Sequence, residues 1–230
     1  LATRKARENT PSSKVQFSHS VEMALESYET LVNYGEKPIN KDDIEKDYSL
    51  DGLNIDGDLA AMLTQLEAFD AYLRKDERHQ IMNLNLLFYG PSGTGKSELA
   101  RYIANRLDRK ILCKRISDLH SKWVGEGEKN IKHAFSQAES EEAVLIIDEA
   151  DSLLFSRDRA RHSWEISFTN EFLTQMEKFR GILVCTTNRF DDLDSASLRR
   201  FYHKIGFDYL TAKGSLIFYD LFLNPLSPEK

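Results

Sequence analysis

Eight consecutive residues, Gly90-Pro91-Ser92-Gly93-Thr94-Gly95-Lys96-Ser97, restrict this chain more than any other stretch. They match a phosphate-binding loop: glycine, four free positions, glycine, lysine, then serine or threonine. The glycines permit backbone turns at which a side chain would clash, so successive N–H groups can point at phosphate oxygens. Lys96 supplies a mobile cation for β- and γ-phosphates, and the Ser97 hydroxyl can ligate Mg2+. A helix opening at Glu98 would add the positive end of its dipole.

Such a loop needs a strand before it and a helix after it. Leu84-Asn85-Leu86-Leu87-Phe88-Tyr89 is short and mostly apolar, which predicts a buried strand. Leu99, Tyr102, Ile103 and Leu107 then follow helical spacing, with Arg106 the polar interruption. The same alternation extends along the chain. Apolar runs at 111–116, 143–147, 181–187 and 202–207 predict four further strands, and the run at 143–147, apolar throughout, is expected to be central. Helical patterns at 127–138, 165–178, 195–199 and 213–223 fall between or after them. Strand–helix alternation of this kind predicts an α/β fold with a five-stranded parallel sheet flanked by helices.

Upstream, residues 1–20 read as a flexible linker, 21–32 as a helix and 40–46 as a charged connector. Residues 48–57 carry turn chemistry. A helix is expected over 58–74, with Leu59, Met62, Leu63, Leu66, Phe69, Asp70 and Leu73 tracing one face and Asp56 or Asp58 as its cap. The first residue is Leu1 rather than Met and the last helical pattern runs nearly to the end, so the chain reads as a piece of a longer protein.

A chain of 230 residues with 41% hydrophobic and 30% charged residues can bury one large soluble core. Its net charge of −6 provides no global positive field for nucleic acid or anionic lipid, though a local basic groove stays open. No apolar run approaches the length of a membrane span. Cys113 and Cys185 lie in apolar, strand-like runs far apart. They read as buried free thiols, which suits a cytoplasmic protein.

Two further sites carry chemistry. The run 143–147 delivers Asp148 and Glu149 to a strand tip, the edge where α/β sheets bind ligands. Asp148 is placed to hold Mg2+ directly or through water, and Glu149 is the candidate base for an attacking water. Asn188 follows the fourth strand. It could hold that water or the γ-phosphate if its strand lies beside the phosphate-loop strand, and otherwise it is a turn-forming asparagine.

These motifs, with Leu145-Ile146-Ile147-Asp148-Glu149-Ala150-Asp151, Thr186-Thr187-Asn188-Arg189 and Leu198-Arg199-Arg200-Phe201, occur in the order and spacing of the AAA family of ATPases. The stretch from Ser117 to Lys129 resembles the pore-loop segment of the katanin, spastin and fidgetin branch. The resemblance covers residues 48–223. It implies ATP or ADP with Mg2+ as cofactors, with Gly90 through Glu98 as the nucleotide cradle. Lys96 and Ser97 resemble the Walker A pair, Asp148 and Glu149 the Walker B pair, and Asn188 the first sensor. Arg199 and Arg200 resemble arginine fingers that reach the ATP of a neighbouring subunit. Trp123 and Val124 match an aromatic–aliphatic pair lining a central pore, and Leu53, Asn54 and Ile55 lie where the family packs adenine. The implied organisation is a linker and helix over 1–46, the large α/β subdomain over 47–211 and the start of a truncated helical lid over 212–230. The short charged link at 157–161 departs from the family where a second pore loop would stand. The resemblance implies a homo-oligomeric ring, a hexamer, that remodels or translocates a protein substrate. The alternatives are a nucleic-acid-associated motor or loader, in which Trp123 and Lys122 would stack a base and contact phosphate, and an ATP-switched scaffold. Against the first stands the negative charge, and against the second the presence of Glu149.

Overall fold

The computed structural model describes residues 50–75, 83–121, 125–155 and 163–222, all within the unit Asn40–Lys230. The helix expected at 21–32, the connector at 40–46, Trp123 and Val124, and the loop at 157–161 lie outside the described residues. The elements in order are β1 (Asn54–Asp56), α1 (Leu59–Leu73), β2 (Leu84–Tyr89), α2 (Lys96–Arg106), β3 (Ile111–Arg115), α3 (Ile116–Leu119) and α4 (Glu126–Ser140). They continue with β4 (Val144–Asp148), α5 (Asp151–Leu154), α6 (Ser163–Lys178), β5 (Ile182–Thr187), α7 (Ser195–Leu198), β6 (His203–Asp208) and α8 (Ala212–Phe222).

One six-stranded sheet runs in the order β1-β6-β2-β5-β4-β3. The neighbours from β6 across to β3 pair in parallel. This corrects the expected five-stranded sheet: residues 54–56 are not a turn but an antiparallel edge strand, with Ile55 opposite Phe207. It also moves the centre. β2 and β5 are the middle strands, whereas β4 is interior but lies one place from the β3 edge.

The apolar runs are continuous because both sheet faces are covered. Leu145, Ile147, Leu183 and Cys185 turn to one side and pack with Ile131, Phe135, Phe172 and Met176 of α4 and α6. Val144, Ile146, Leu86, Phe88 and Val184 turn to the other and pack with Met62, Leu66, Leu99 and Ile103 of α1 and α2. Cys185 is fully buried and Cys113 only half-buried; both are free thiols, and burial raises the pKa of each.

Helix α1 starts where Asp58 accepts a hydrogen bond from the Ala61 amide at 2.9 Å. Near its other end the apolar face contains a carboxylate. Asp70 is buried between Arg74, at 2.8 Å, and Arg109. Arg74 also donates to the Leu107 carbonyl at 2.7 Å and Arg109 to the Glu142 carbonyl at 3.0 Å. A charge taken from water must be met by partners, and here those partners tie α1 to the end of α2 and to the turn before β4. At the far edge α8 lies against the 3-10 turn Leu50–Gly52. A Cβ at position 214 would sit 2.3 Å from the Gly52 carbonyl oxygen, so Gly214 is what permits that approach.

Candidate nucleotide site

The loop between β2 and α2 is shaped by residues that cannot be exchanged freely. Gly90 has φ 136°, and a Cβ there would lie 2.0 Å from the Phe207 carbonyl oxygen. Gly93 and Gly95 also take positive φ. Thr94 closes the turn by donating to the Pro91 carbonyl at 2.8 Å, and Ser92 is exposed at the tip. Gly95 caps α2 without a side chain, leaving the first helical N–H groups without a side-chain cap at the positive end of the helix.

Lys96 is 7% exposed and folds back over this loop, donating to the carbonyls of Gly90 at 2.8 Å and Pro91 at 2.6 Å. Burial lowers its pKa from the ordinary lysine value, against the opposing pull of Asp148 and Asp151. Glu98, placed in the cradle by resemblance, is exposed and paired with Arg101 at 2.8 Å on the outer face of α2.

β4 brings the acids. The Ser97 hydroxyl donates to Asp148 Oδ1 at 2.9 Å, and the Thr186 hydroxyl donates to the same oxygen at 2.5 Å. Glu149 is exposed and its φ is 55°, the left-handed region that costs an L-residue about 1–2 kcal/mol. Strain of this kind persists where neighbours enforce it. Here the Glu149 amide donates to Thr186 Oγ1 at 3.1 Å and the Ala150 amide to the Thr186 carbonyl at 2.8 Å.

β5 lies beside β2, with Thr187 opposite Tyr89 and the Gly90 amide donating to the Thr187 carbonyl at 3.2 Å. That is the condition under which Asn188 can face the phosphate loop; its side chain is exposed there. Thr187 Oγ1 donates to Asp151 and accepts from the Arg189 amide at 3.0 Å, fixing the turn around Asn188. Phe190 stacks on Tyr89 with ring centroids 3.9 Å apart. Leu53 and Ile55 are half-buried against the core on the α1–α2 side, and Asn54 donates to the Tyr209 carbonyl at 2.8 Å. Asn54 and Ile55 therefore build the sheet edge, and Leu53 leads into it.

Arg199 and Arg200 lie away from this cluster, after α7 and ahead of β6, and they differ. Arg200 donates to Glu177 at 2.8 Å through Nε and to the Ala196 carbonyl at 2.6 Å through Nη1. Arg199 is exposed and makes no side-chain hydrogen bond or ion pair among the described residues. Sequence reasoning missed Thr186, Thr187 and Asp151. A signal existed: two threonines end a run of buried apolar residues, and a buried hydroxyl needs a partner.

Strand, glycine loop and helix, with an acidic strand tip hydrogen-bonded to the loop serine, define a P-loop domain. Comparison with known proteins gives the family. The model of the ATPase family associated with various cellular activities (AAA) matches residues 86–209, more than half the chain. The chain belongs to that family, and its domain is an ATPase domain. Fidgetin-like protein 1 of Drosophila melanogaster is 37% identical over 127 residues, which is 52% of this chain and 24% of that protein. Human fidgetin-like protein 1 is 36% identical over 127 residues, covering 52% and 19%. Spastin of Drosophila erecta is 35% identical over 128 residues, covering 52% and 17%. The matched region thus spans a quarter or less of the length of these relatives.

Proposed function

We propose that this domain binds ATP with Mg2+, hydrolyses it, and works in a ring, a hexamer, that pulls on a protein substrate through a central pore. The observation that carries the hydrolytic part is the Ser97–Asp148–Thr186 cluster, which joins the phosphate loop, the acidic tip of β4 and the end of β5 at one oxygen. In this reading the phosphates settle on the loop amides and Lys96 exchanges its two carbonyl partners for β- and γ-phosphate oxygens. Ser97 and Asp148 would hold Mg2+. A hydroxyl and a carboxylate oxygen 2.9 Å apart suit a cation that keeps its other ligands as water and phosphate. Among the described residues no group of three or more His, Cys, Asp or Glu could cage a metal instead. When bound, the ion offsets the negative charge of the phosphates.

Glu149 takes a proton from water as the water oxygen bonds to the γ-phosphorus, and the bond from that phosphorus to the bridging oxygen breaks, releasing ADP and phosphate. Asn188 orients the water. Arg199, from a neighbouring subunit, meets the charge that builds on the γ-phosphate. Trp123 and Val124 would line the pore and α8 would open the helical lid, both by family resemblance. Residues 47–211 would then be the large subdomain. Free thiols and a domain without a helix, among the described residues, long and apolar enough to cross a membrane are compatible with the cytoplasm, where the reading places it.

Phosphate release by the wild type and Glu149→Gln, with unfolded protein, single-stranded DNA or nothing added, tests the reading. ATP should bind both proteins. Turnover should fall by about two to four orders of magnitude in the variant, the scale of a lost general base. Stimulation should come from protein and not from DNA. Near-normal hydrolysis by Glu149→Gln would refute its role, and stimulation by DNA alone would favour a nucleic-acid motor.

A further inference from the structure

The β4–β5 ladder ends at Ile147 opposite Cys185, and β4 then turns away at Glu149 in the left-handed region. The turn withdraws the Glu149 amide from the sheet. Its acceptor is a side chain: the Thr186 hydroxyl, 3.1 Å away. The single hydrogen of that hydroxyl is directed at Asp148 Oδ1, 2.5 Å away. With the Ala150 amide on the Thr186 carbonyl at 2.8 Å, one residue of β5 holds three consecutive residues of the acidic tip. Thr186 is 2% exposed, so water does not take its place. A buried hydroxyl is costly unless it is hydrogen-bonded, and the four residues before it in β5, Ile182 to Cys185, are apolar. Valine would fill the same space without the hydroxyl.

We propose that Thr186 is a positioning residue for the candidate base: its hydroxyl holds the Glu149 backbone in the turn that aims the carboxylate toward the phosphate loop. This rests on the proposed ATPase reading for its effect on rate, but not for its effect on the backbone. Asp148, held by the same hydroxyl, keeps the oxygen that it shares with Ser97 in place. Thr186 itself touches no reacting atom.

The test uses Thr186→Val, which keeps shape, and Thr186→Ser, which keeps the hydroxyl, on the full chain. Amide hydrogen exchange is read by NMR, and ATP binding and turnover are read separately. In Thr186→Val the Glu149 amide should exchange about tenfold faster, the scale of one lost hydrogen bond. Its kcat should fall about ten- to a hundredfold, as expected when a reacting group is misplaced, and this loss should exceed any loss of ATP affinity. Thr186→Ser should keep slow exchange and at least half the turnover. Unchanged Glu149 exchange in Thr186→Val overturns the proposal, as does wild-type kcat in that variant or equal loss in both variants. Should the wild type fail to hydrolyse ATP, the ATPase reading falls, and the exchange data still decide whether Thr186 holds Glu149.

Discussion

The two ends of the P-loop strand are built in opposite ways. At its C-terminal end, beside α2, β4 and β5, the charged groups of Lys96 and Asp148 are met from within the chain, while Glu149 and Asn188 stay exposed. Lys96 has two carbonyls, and Asp148 has the hydroxyls of Ser97 and Thr186. At its N-terminal end, between α7 and β6, two side chains face outward. Arg199 is exposed and Tyr202 is 68% exposed beside it. The two ends share one strand, and buried Asn85 near the start of β2 donates to the Arg200 carbonyl at 3.1 Å. A cluster whose partners are internal can be complete in one molecule. An exposed guanidinium at a fixed place finds a partner only on something else, and in the proposed reading that is a neighbour's ATP.

The sharpest way to break this contrast is to remove the arginines one at a time in assembled protein. Arg199→Ala should lower kcat about a thousandfold, the scale of a lost arginine finger, with ATP binding retained. Arg200→Ala should cost less than about tenfold in rate, because its guanidinium is committed to Glu177 and Ala196 and exposed ion pairs are worth about 1 kcal/mol or less. Mixing Arg199→Ala with Glu149→Gln should restore part of the turnover, since each chain lends what the other lacks. Equal losses at both arginines would erase the division between them. Mixed rings that stay inactive would place Arg199 outside any trans role.

The internal end is probed by Gly90→Ala. The added methyl meets the Phe207 carbonyl oxygen at 2.0 Å in a backbone conformation that L-residues avoid. Steric and conformational strain together predict a loss of about 3 kcal/mol, read as a fall in the urea midpoint and accompanied by loss of ATP binding. Retained stability would mean that β2 and β6 can separate at Gly90. The internal end would then be less tightly built than its contacts imply.

What the sequence made legible follows the same division. The phosphate loop, its strand and helix, the acidic strand tip and the places of the parallel strands along the chain come from local patterns: a glycine spacing, apolar runs and helical periodicity. The order of those strands in the sheet does not. The edge strand β1 does not. Asn54 and Asp56 belong to residue types depleted from strands, and residues 54–56 are extended because β6 offers them a partner. Asp70 stood on the apolar face of α1 as a visible anomaly, but its partner Arg109 is brought to it only by the fold. The Thr186–Glu149 contact links positions 37 residues apart through a side chain and a backbone amide. No single-segment pattern encodes it. The difference between Arg199 and Arg200, adjacent and chemically identical, exists only in the packing of α6 against the turn before β6.

The smallest effect expected concerns the outward-facing end and acid. His203 begins β6 opposite Leu86, and its buried Nε2 has no hydrogen-bond partner among the described residues. Burial lowers its pKa from the ordinary value, and the neighbouring charge of Lys204 lowers it further. The unfolded chain therefore takes up its proton first as pH falls below about 6.5. Where the unfolded state binds more protons, stability rises with pH, so this group costs nothing at pH 7.5 and subtracts stability as pH falls through the interval between its unfolded and folded pKa values. Below the folded value the deficit is complete and the slope vanishes. Urea midpoints at pH 7.5 and 5.5 should fall further for the wild type than for His203→Gln. Amide exchange at pH 5.5 should quicken first around 201–205, ahead of 86–89 in the adjoining strand. An identical pH dependence in the two proteins would remove His203 from the account. Early loosening of the phosphate loop instead would reverse the assignment of which end acid reaches.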